Sequence, residues 1–180
     1  MALPSEDTLV VGGKITAAWA NADVRDAVNT ILNLPRVKAY QGTTATTAGT
    51  SGVAQLILWD AEQYDTDGMH STSVNTSRLT IVTSGMYDIK TSLYWVANAT
   101  GYRQIEIRKN SGGSATGGTQ IAQFRAATSP TSSAWVGGDV DEPLVAGDYL
   151  ECFATQTSGG SLATVVGQSF SWISARLVAA

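Results

Sequence analysis

The 180-residue sequence predicts a mainly β protein, an antiparallel jelly-roll β-sandwich preceded by an N-terminal arm and one α-helix. The strongest evidence is the segment 86–96, where apolar and polar side chains alternate with the period of two typical of a half-buried strand. Further strand candidates lie on both sides of it, separated by turn signals at intervals of roughly eight to twelve residues. No helical period of useful length appears after residue 34, which argues against an alternating βαβ architecture.

The N-terminal residues are predicted to form an irregular arm and then the helix, so we divide the chain into 1–35 and a β-domain, 36–180. Thr16 is a suitable N-cap, because its hydroxyl can accept a hydrogen bond from the first helical turn. The helix is expected over residues 17–33. Pro35 ends it, because proline lacks the backbone N–H that a helix interior needs.

One side of the predicted helix is apolar, since Ala20, Val24, Val28 and Ile31 recur at helical spacing. A lone helix of about 25 Å is marginally stable in water, so this stripe needs a surface to pack against. Two alternatives remain open: the helix lies on its own β-domain, or it docks with copies of itself or with a larger assembly. The residues expected to anchor the protein are Trp19, Val24, Val28, Ile31 and Leu32.

The remaining residues are predicted to form strands. Gly85 allows the tight turn that leads into the central segment from the strand before it. One face of this segment would enter the core, carrying Tyr87, Ile89, Leu93 and Trp95. The other face would meet water or a partner, carrying Asp88, Lys90, Ser92 and Tyr94. In chain order the candidate strands are RVKAY, VAQLILWDAEQYD, SRLTIV, the central segment, YRQIEIRKN, TQIAQFRAA, SSAWVGGDVDEPL, DYLECFATQ, SLATVVG and FSWISARLVA.

Composition limits the classes of function. Charged residues make up 14% of the chain, against roughly 25% in a typical soluble protein. The surface must therefore consist largely of Thr, Ser, Asn, Gln and Gly, as is common where other subunits cover much of the outside. The net charge is −4 and the sequence has no run of Lys or Arg, so nucleic-acid binding is not expected.

The start of the chain lacks the basic-then-apolar pattern of a signal peptide, and nothing approaches 18 consecutive apolar residues. We therefore expect a product that begins as a soluble cytoplasmic protein, without membrane insertion. The single cysteine, Cys152, excludes an internal disulfide. It alternates with Leu150 and Ala154 on a predicted inward face, so it is expected to be a small core residue.

Three motifs of the β-domain resemble one family: GMYDIKT at 85–91, AGDYLEC at 146–152 and FSWISARL at 170–177. They are similar to motifs in the globular heads of complement component 1q and the related tumour necrosis factor jelly rolls. In that family a Gly-x-Tyr leads into a central core strand, and a Gly-Asp opens the penultimate strand. The resemblance implies a homotrimer. The residues expected at its interface or in the core are Tyr87, Tyr94, Trp95, Phe153 and Trp172.

The N-terminal segment 7–40 resembles the start of small structural proteins of bacteriophages, particularly phages of actinobacteria. It keeps the ITAA motif at 15–18 and an N-x-x-x-R-D-A-V-N segment at 21–29, but has Leu9 where the family often has Trp. The resemblance implies a virion structural protein assembled in the host cytoplasm. Such a protein would be held by its N-terminus, contact capsid or tail components and display a trimeric head. Capsid decoration or head fibre, and minor tail component, are both open placements.

Acidic residues form two candidate cation loops. Asp65-Thr66-Asp67-Gly68 is similar to the opening of a calcium loop, but Thr76 occupies the twelfth position, where a glutamate ligand is required. A turn is therefore the better interpretation. Asp139, Asp141 and Glu142 likewise suit a solvated loop. No cofactor is expected, although some complement 1q-like heads bind calcium near the trimer axis, which keeps that alternative open.

Catalytic chemistry is not expected. His70 is the only histidine, which rules out a histidine-based zinc cluster. A nucleophile–base pair of Cys152 and His70 conflicts with the predicted burial of the thiol. Glycoside hydrolysis needs a pair of carboxylates at a defined separation. The candidate residues are Glu62, Asp65, Asp88, Glu106 and Glu151, and their spacing in the sequence does not identify such a pair.

The rival interpretation is a receptor- or carbohydrate-binding module on a tail tip, which is compatible with a virion protein. It predicts that host surface glycans contact exposed loops of the β-domain. The candidate loops are 68–77, 111–118 and 157–161.

Overall fold

The computed structural model describes residues 16–49, 51–128 and 134–179, with the exception of residues 26, 27, 30 and 31. These residues form a β-sandwich, which confirms the predicted fold class. Its strands are β1 (Arg36–Tyr40), β2 (Thr47–Ala48), β3 (Gln55–Leu56), β4 (Ala61–Asp65), β5 (Arg78–Thr80), β6 (Gly85–Trp95), β7 (Tyr102–Lys109), β8 (Thr119–Ala127), β9 (Ala134–Leu144), β10 (Tyr149–Gln156), β11 (Leu162–Ala163) and β12 (Trp172–Ala179).

Two five-stranded antiparallel sheets make up the sandwich. Sheet I has the order β4-β1-β12-β6-β9, and sheet II has the order β3-β10-β7-β8, with β5 also paired to β10. Apart from the hairpin β7–β8, strands that are neighbours within a sheet are not consecutive in the chain, as the crossing connections of a jelly roll require. Strands β5 and β6 belong to different sheets, so the turn at Thr83-Ser84-Gly85 carries the chain across the sandwich.

Apolar side chains of both sheets fill the space between them. From β6, the predicted inward set Tyr87, Ile89, Leu93 and Trp95 is fully buried. From sheet II they are joined in one core cluster by Ile105, Ile107, Leu150 and Cys152. Each large apolar side chain buried in this way contributes about 1.5–3 kcal/mol relative to exposure. The alternation seen in the sequence therefore fixes which face of each strand enters the core.

The N-terminal segment is less regular than predicted. An α-helix, α1, covers Ala17–Trp19, and a π-helical turn follows over Ala20–Arg25. Residues 28, 29 and 32 are again α-helical, and Asn33 N–H donates to Asn29 O at 3.0 Å. The described residues of the expected helix over 17–33 are therefore helical as far as residue 32, but the α-helical hydrogen-bond pattern is interrupted over Ala20–Arg25. The reason lies in composition: Asn, Asp, Val and Thr, which are poorer helix formers than Ala or Leu, occupy much of the segment.

The described side chains of this segment are not packed on the β-domain. Every side chain between residues 16 and 32 whose burial the structure describes is exposed. Val24, Val28 and Leu32 are 52, 47 and 70% exposed. The side chains of Trp19 and Ile31, the other two predicted anchoring residues, lie outside the described set. Among the described residues, no helix is long and apolar enough to span a membrane.

The sandwich has two ends, which we call the helix end and the far end. At the helix end, Leu177 N–H donates to Pro35 O at 2.9 Å and Thr66 N–H donates to Arg36 O at 3.0 Å, so the N-terminal segment leaves the β-domain there. Strand register places three loops at the helix end: 66–77, 110–118 and 145–148. It places three others at the far end: 41–46, 96–101 and 157–161.

Candidate oligomerisation surface

The outer face of sheet I carries four aromatic side chains toward the far end, which we call the aromatic patch: Tyr94, Trp135, Phe170 and Trp172. Tyr94 of β6 lies opposite Trp135 of β9 in register, and Trp172 begins β12. Trp135 and Phe170 are 52 and 43% exposed, and the other two are half-buried. A contiguous exposed group of large apolar side chains marks a contact surface more often than a solvated one.

Hydrogen bonds hold the patch in one arrangement. Trp135 Nε1–H donates to Ser92 Oγ at 2.9 Å, and Ser92 Oγ donates in turn to Phe170 O at 2.7 Å. The rings of Tyr94 and Phe170 meet edge to face, with centroids 5.3 Å apart and an interplanar angle of 68°. Such aromatic pairs gain about 0.5–1.5 kcal/mol beyond their area burial. The patch is therefore ordered before any partner binds.

A shallow concavity of about 400 Å³ lies within this face, lined in part by Lys90, Tyr94, Trp135, Asp139 and Trp172. Lys38 Nζ sits 4.6 Å from the centroid of the Trp172 ring, a cation–π contact at the opposite side of the patch. The concavity is open, and the rings of Tyr94, Trp135 and Trp172 line it beside polar residues, so it can accept a protruding apolar side chain of another chain.

Toward the helix end the same face is charged. Lys90 Nζ lies 3.2 Å from Asp88 Oδ2, and Arg176 Nη2 lies 3.8 Å from the same oxygen. In register, Asp139 neighbours Lys90 and Asp141 neighbours Asp88. The outer face of sheet I is thus apolar in its far half and charged in its helix-end half, which could fix the orientation of a partner.

The residues predicted at an interface or in the core occupy three environments. Tyr87 and Trp95 are fully buried between the sheets. Phe153 is 1% exposed but lies outside the main core cluster, opposite Leu56 of β3. Tyr94 and Trp172 alone of this set belong to the aromatic patch.

Trp135 and Phe170, the most exposed members of the patch, were not predicted there. Strand alternation offered a signal for Trp135, because Val136 beside it is buried and opposite Leu93. Phe170 lies in an irregular segment before β12, where no period exists to assign its side.

Tyr87 is tied into the core by its hydroxyl, which donates to Thr83 O at 2.7 Å. Burial raises the pKa of Tyr87 to about 12, and the nearby Asp67 carboxylate adds to the effect. The aromatic ring that follows Gly85 is therefore a neutral anchor for the turn between the two sheets.

The acidic loops serve the fold in this structure. Asp65 accepts hydrogen bonds from the backbone N–H groups of Asp67 and His70 at 3.1 and 2.8 Å, which closes the predicted turn. Asp139 and Asp141 project from β9 and not from a loop, and Glu142 Oε1 lies 2.9 Å from Lys109 Nζ. In the described part of the chain, no group of three or more His, Cys, Asp or Glu is placed to hold a metal ion.

The two candidate catalytic side chains have separate environments. Cys152 is buried in β10, and burial raises the pKa of its thiol well above the ordinary range. His70 Nδ1 lies 2.7 Å from Glu62 Oε1, and its Nε2 lies 3.2 Å from Thr76 O. The histidine thus links the loop 66–77 to β4, and the thiol is held as an unreactive core group.

A buried carboxylate organises the outer face of sheet II. Glu151 is 1% exposed and accepts hydrogen bonds from Ser77, Arg78, Ser111 and the Gly113 N–H. Burial alone would raise the pKa of Glu151, but these donors outweigh it and the pKa lies below its ordinary value. The glycine-rich loop 110–118 is consequently held against its own sheet.

The sequence matches no protein-family model and no curated protein sequence. Solved structures share the fold. Eiger TNF from S. frugiperda has a TM-score of 0.59 and 13% identity, covering 82% of this chain and 95% of that chain. The globular domain of zebrafish complement 1qA has a TM-score of 0.55 and 13% identity, covering 80% and 97%. Murine APRIL has a TM-score of 0.61 and 6% identity, covering 81% and 99%.

These similarities define the class of the β-domain: a jelly roll of the tumour necrosis factor and complement 1q type. At such low identity they show the fold alone. Domains of this fold often form trimers, and an exposed aromatic patch on an otherwise ordered sheet is a feature that an oligomer would bury.

Proposed function

We propose that this chain is a non-enzymatic structural protein of a bacteriophage particle, a homotrimer attached through residues 1–35 that displays the jelly-roll domain. The observation that carries the trimer is the aromatic patch, with Trp135 and Phe170 exposed at 52 and 43% in the single chain. The phage assignment rests on the sequence resemblance of segment 7–40. Capsid decoration or head fibre, and minor tail component, are both consistent with it.

The chemistry of the patch suits contact with a second copy of the chain. Interface centres are enriched in Trp, Tyr and Phe and depleted of charge, as the far half of this face is. The charged half pairs acids with bases inside one chain, through Lys90, Arg176 and Asp88. It can therefore form the polar rim of an interface whose energy comes from the aromatic side chains.

The position of the N-terminal segment suits attachment. It leaves the β-domain at the helix end, and its described side chains are exposed. With that end on a particle, the far end would point outward. Its loops 41–46, 96–101 and 157–161 contain no charged residue, which agrees with a polar outer surface built from hydroxyl and amide groups.

The trimer is tested by light scattering on the purified chain. We expect three chains per particle at micromolar concentration, and monomers for Trp135→Glu, because a carboxylate would be buried in the interface. Val145→Glu is the matched control: Val145 is 62% exposed but lies in a helix-end loop. A monomeric wild-type protein, or a trimeric Trp135→Glu variant, would contradict the assignment.

The attachment is tested in phage particles. Particles assembled with a chain that lacks residues 1–34 are expected to lose this protein, whereas the Val145→Glu chain is incorporated normally. Mass spectrometry of purified particles measures the copy number, and electron microscopy locates the protein on head or tail. Incorporation of the shortened chain at the wild-type level would refute attachment through this segment.

The positions of the candidate loops limit which of them could serve the rival glycan-binding function. Loops 68–77 and 111–118 lie at the helix end, and only loop 157–161 lies at the far end. If the helix end is attached, glycans would meet the far end alone. A glycan array probed with the full chain tests this alternative: binding that survives substitutions in 111–118 but not in 157–161 would support it.

A further inference from the structure

The N-terminal segment carries a second apolar surface that its own chain leaves uncovered. Positions 17, 21, 24, 28 and 31 follow one another at intervals of four, three, four and three residues, the heptad spacing of helices that associate through one seam. The residues are Ala17, Asn21, Val24, Val28 and Ile31. All of those whose burial is described, 17, 21, 24 and 28, are exposed.

We infer that these segments pack against one another in a parallel three-helix stalk beneath the trimeric β-domains. This inference rests on the proposed trimer and names what the stripe binds. In heptad terms Asn21 and Val28 take a positions, and Ala17, Val24 and Ile31 take d positions. Branched side chains at d disfavour two strands and favour higher bundles, and a single buried Asn at a sets the register.

The fold brings the three segments together. Hydrogen bonds from Leu177 to Pro35 and from Thr66 to Arg36 fix the point where each segment leaves its β-domain. In a trimer with threefold symmetry, three such exits lie at the same end and point the same way. The local concentration of one segment near the next is then about millimolar, which compensates for a seam of only two heptads.

The irregular backbone of the single chain agrees with this inference. An isolated helix of this length is marginal without a packed face, and the segment indeed contains the π-helical turn Ala20–Arg25. Burial of Val24 and Val28 in a bundle would favour a regular α-helix. Leu32, 70% exposed and adjacent to the seam at position e, would widen the buried stripe.

Cysteine cross-linking of the full chain tests the stalk. Val28→Cys places a thiol on the seam, and Asn29→Cys places one on the next, outward position. Both native side chains are exposed, and the native Cys152 is fully buried, so neither variant should disturb the fold. Under mild oxidation we expect Val28→Cys to cross-link at least about tenfold faster than Asn29→Cys.

The final fraction of disulfide-linked chains identifies the number of helices in the bundle. With three thiols around one axis, a disulfide joins two chains and leaves the third unpaired, so about two thirds of the chains should become linked dimers. Near-complete linkage would indicate an even-numbered bundle and overturn the inference. Val24→Cys, compared with the same outward control Asn29→Cys, provides a second test in case Val28→Cys fails to fold.

Light scattering on the reduced variants separates this inference from the trimer itself. Trimeric particles whose two cysteine variants cross-link at equal rates would overturn the stalk and leave the trimer standing. Monomeric wild-type protein would overturn both. Selective, two-thirds linkage within trimeric particles is the result that supports the stalk.

Discussion

The two outer faces of this sandwich differ in how far the chain itself buries the side chains on them. On sheet II, Phe153 and Glu151 are 1% exposed: β3 pairs beside β10 and places Leu56 next to Phe153, and loop 110–118 donates hydrogen bonds to Glu151. On sheet I, Trp135 and Phe170 remain 52 and 43% exposed, with no segment of the described chain folded over them. This difference in exposure is the reason for proposing that the outer face of sheet I contacts another chain.

The means of covering also differ. Sheet II is closed by hydrogen bonds to one buried carboxylate, which fixes a glycine-rich loop that would otherwise gain little from packing. Sheet I offers ordered rings, held by Ser92, and a concavity beside them. Hydrogen bonds within the chain therefore bury the outer face of sheet II at Glu151, whereas apolar area on the outer face of sheet I stays exposed.

The largest effect is expected from Glu151→Ala. It removes the acceptor for Ser77, Arg78, Ser111 and the Gly113 N–H, and leaves buried donors unpaired. We expect the free energy of unfolding, measured with urea, to fall by about 3 kcal/mol or more. Asp139→Ala, on the exposed face of sheet I, is the control and should change it by less than about 0.5 kcal/mol. Equal effects of the two substitutions would contradict this role of Glu151.

The same carboxylate predicts a pH dependence. Because the folded-state pKa of Glu151 lies below its ordinary value of 4.5, its stabilisation is fully present above that pH and is lost as pH falls through the folded pKa. Asp60 and Asp148 also have lowered pKa values and act with the same sign. We expect stability to decline below about pH 4.5. Glu151→Gln should make the decline shallower, and an unchanged slope would argue against this origin.

Gly137→Ala tests the backbone that supports the aromatic patch. An added Cβ would lie 2.2 Å from Thr91 O, where β6 and β9 approach closely. The strands must separate, so we expect a loss of about 2 kcal/mol in unfolding free energy and weaker trimers. At Gly160 an added Cβ meets nothing within 4 Å, so Gly160→Ala should leave both measurements unchanged. A stable, fully trimeric Gly137→Ala variant would refute the requirement.

The smallest effect is expected from Ser92→Ala. This substitution removes the hydroxyl that accepts from Trp135 Nε1–H and donates to Phe170 O. Without these two hydrogen bonds the rings are no longer held in the binding arrangement, so the free energy of trimer association should become less favourable by about 1 kcal/mol. The protein concentration below which trimers dissociate, measured by analytical ultracentrifugation, should then be about fivefold higher. Ser174→Ala, on the charged half of the same face, provides the comparison, and equal shifts for both would leave no special role for Ser92.

Much of the fold could be predicted because strand alternation is a local property. The inward and outward sets of β6 follow directly from spacing, and the structure reproduces them at Tyr87, Ile89, Leu93 and Trp95. The same reasoning predicted the helical character of 17–33 but not its interruption over Ala20–Arg25. Apolar spacing there described a stripe, but weak helix formers and the lack of a packed face left a π-helical turn.

The candidate site could be predicted only in part. Tyr94 was named because its outward position and the family resemblance both pointed to it, and Trp172 was named as an aromatic residue of the last strand. Phe153 was named with them, yet strand β3 lies against it. Trp135 was not predicted at the interface, although it lies opposite Tyr94. The sequence does not show whether an outward-facing aromatic side chain is buried by another part of its own chain.

By itself the sequence determined the class of fold, the face of the central strand that enters the core and the apolar stripe of the N-terminal segment. Those features depend on side chains a few residues apart, which the backbone geometry brings to one side. Tertiary structure decided which outer face stays open, because that depends on long-range register between β6 and β9 and on a loop folded back to Glu151. Such pairings join distant residues, and no local period encodes them.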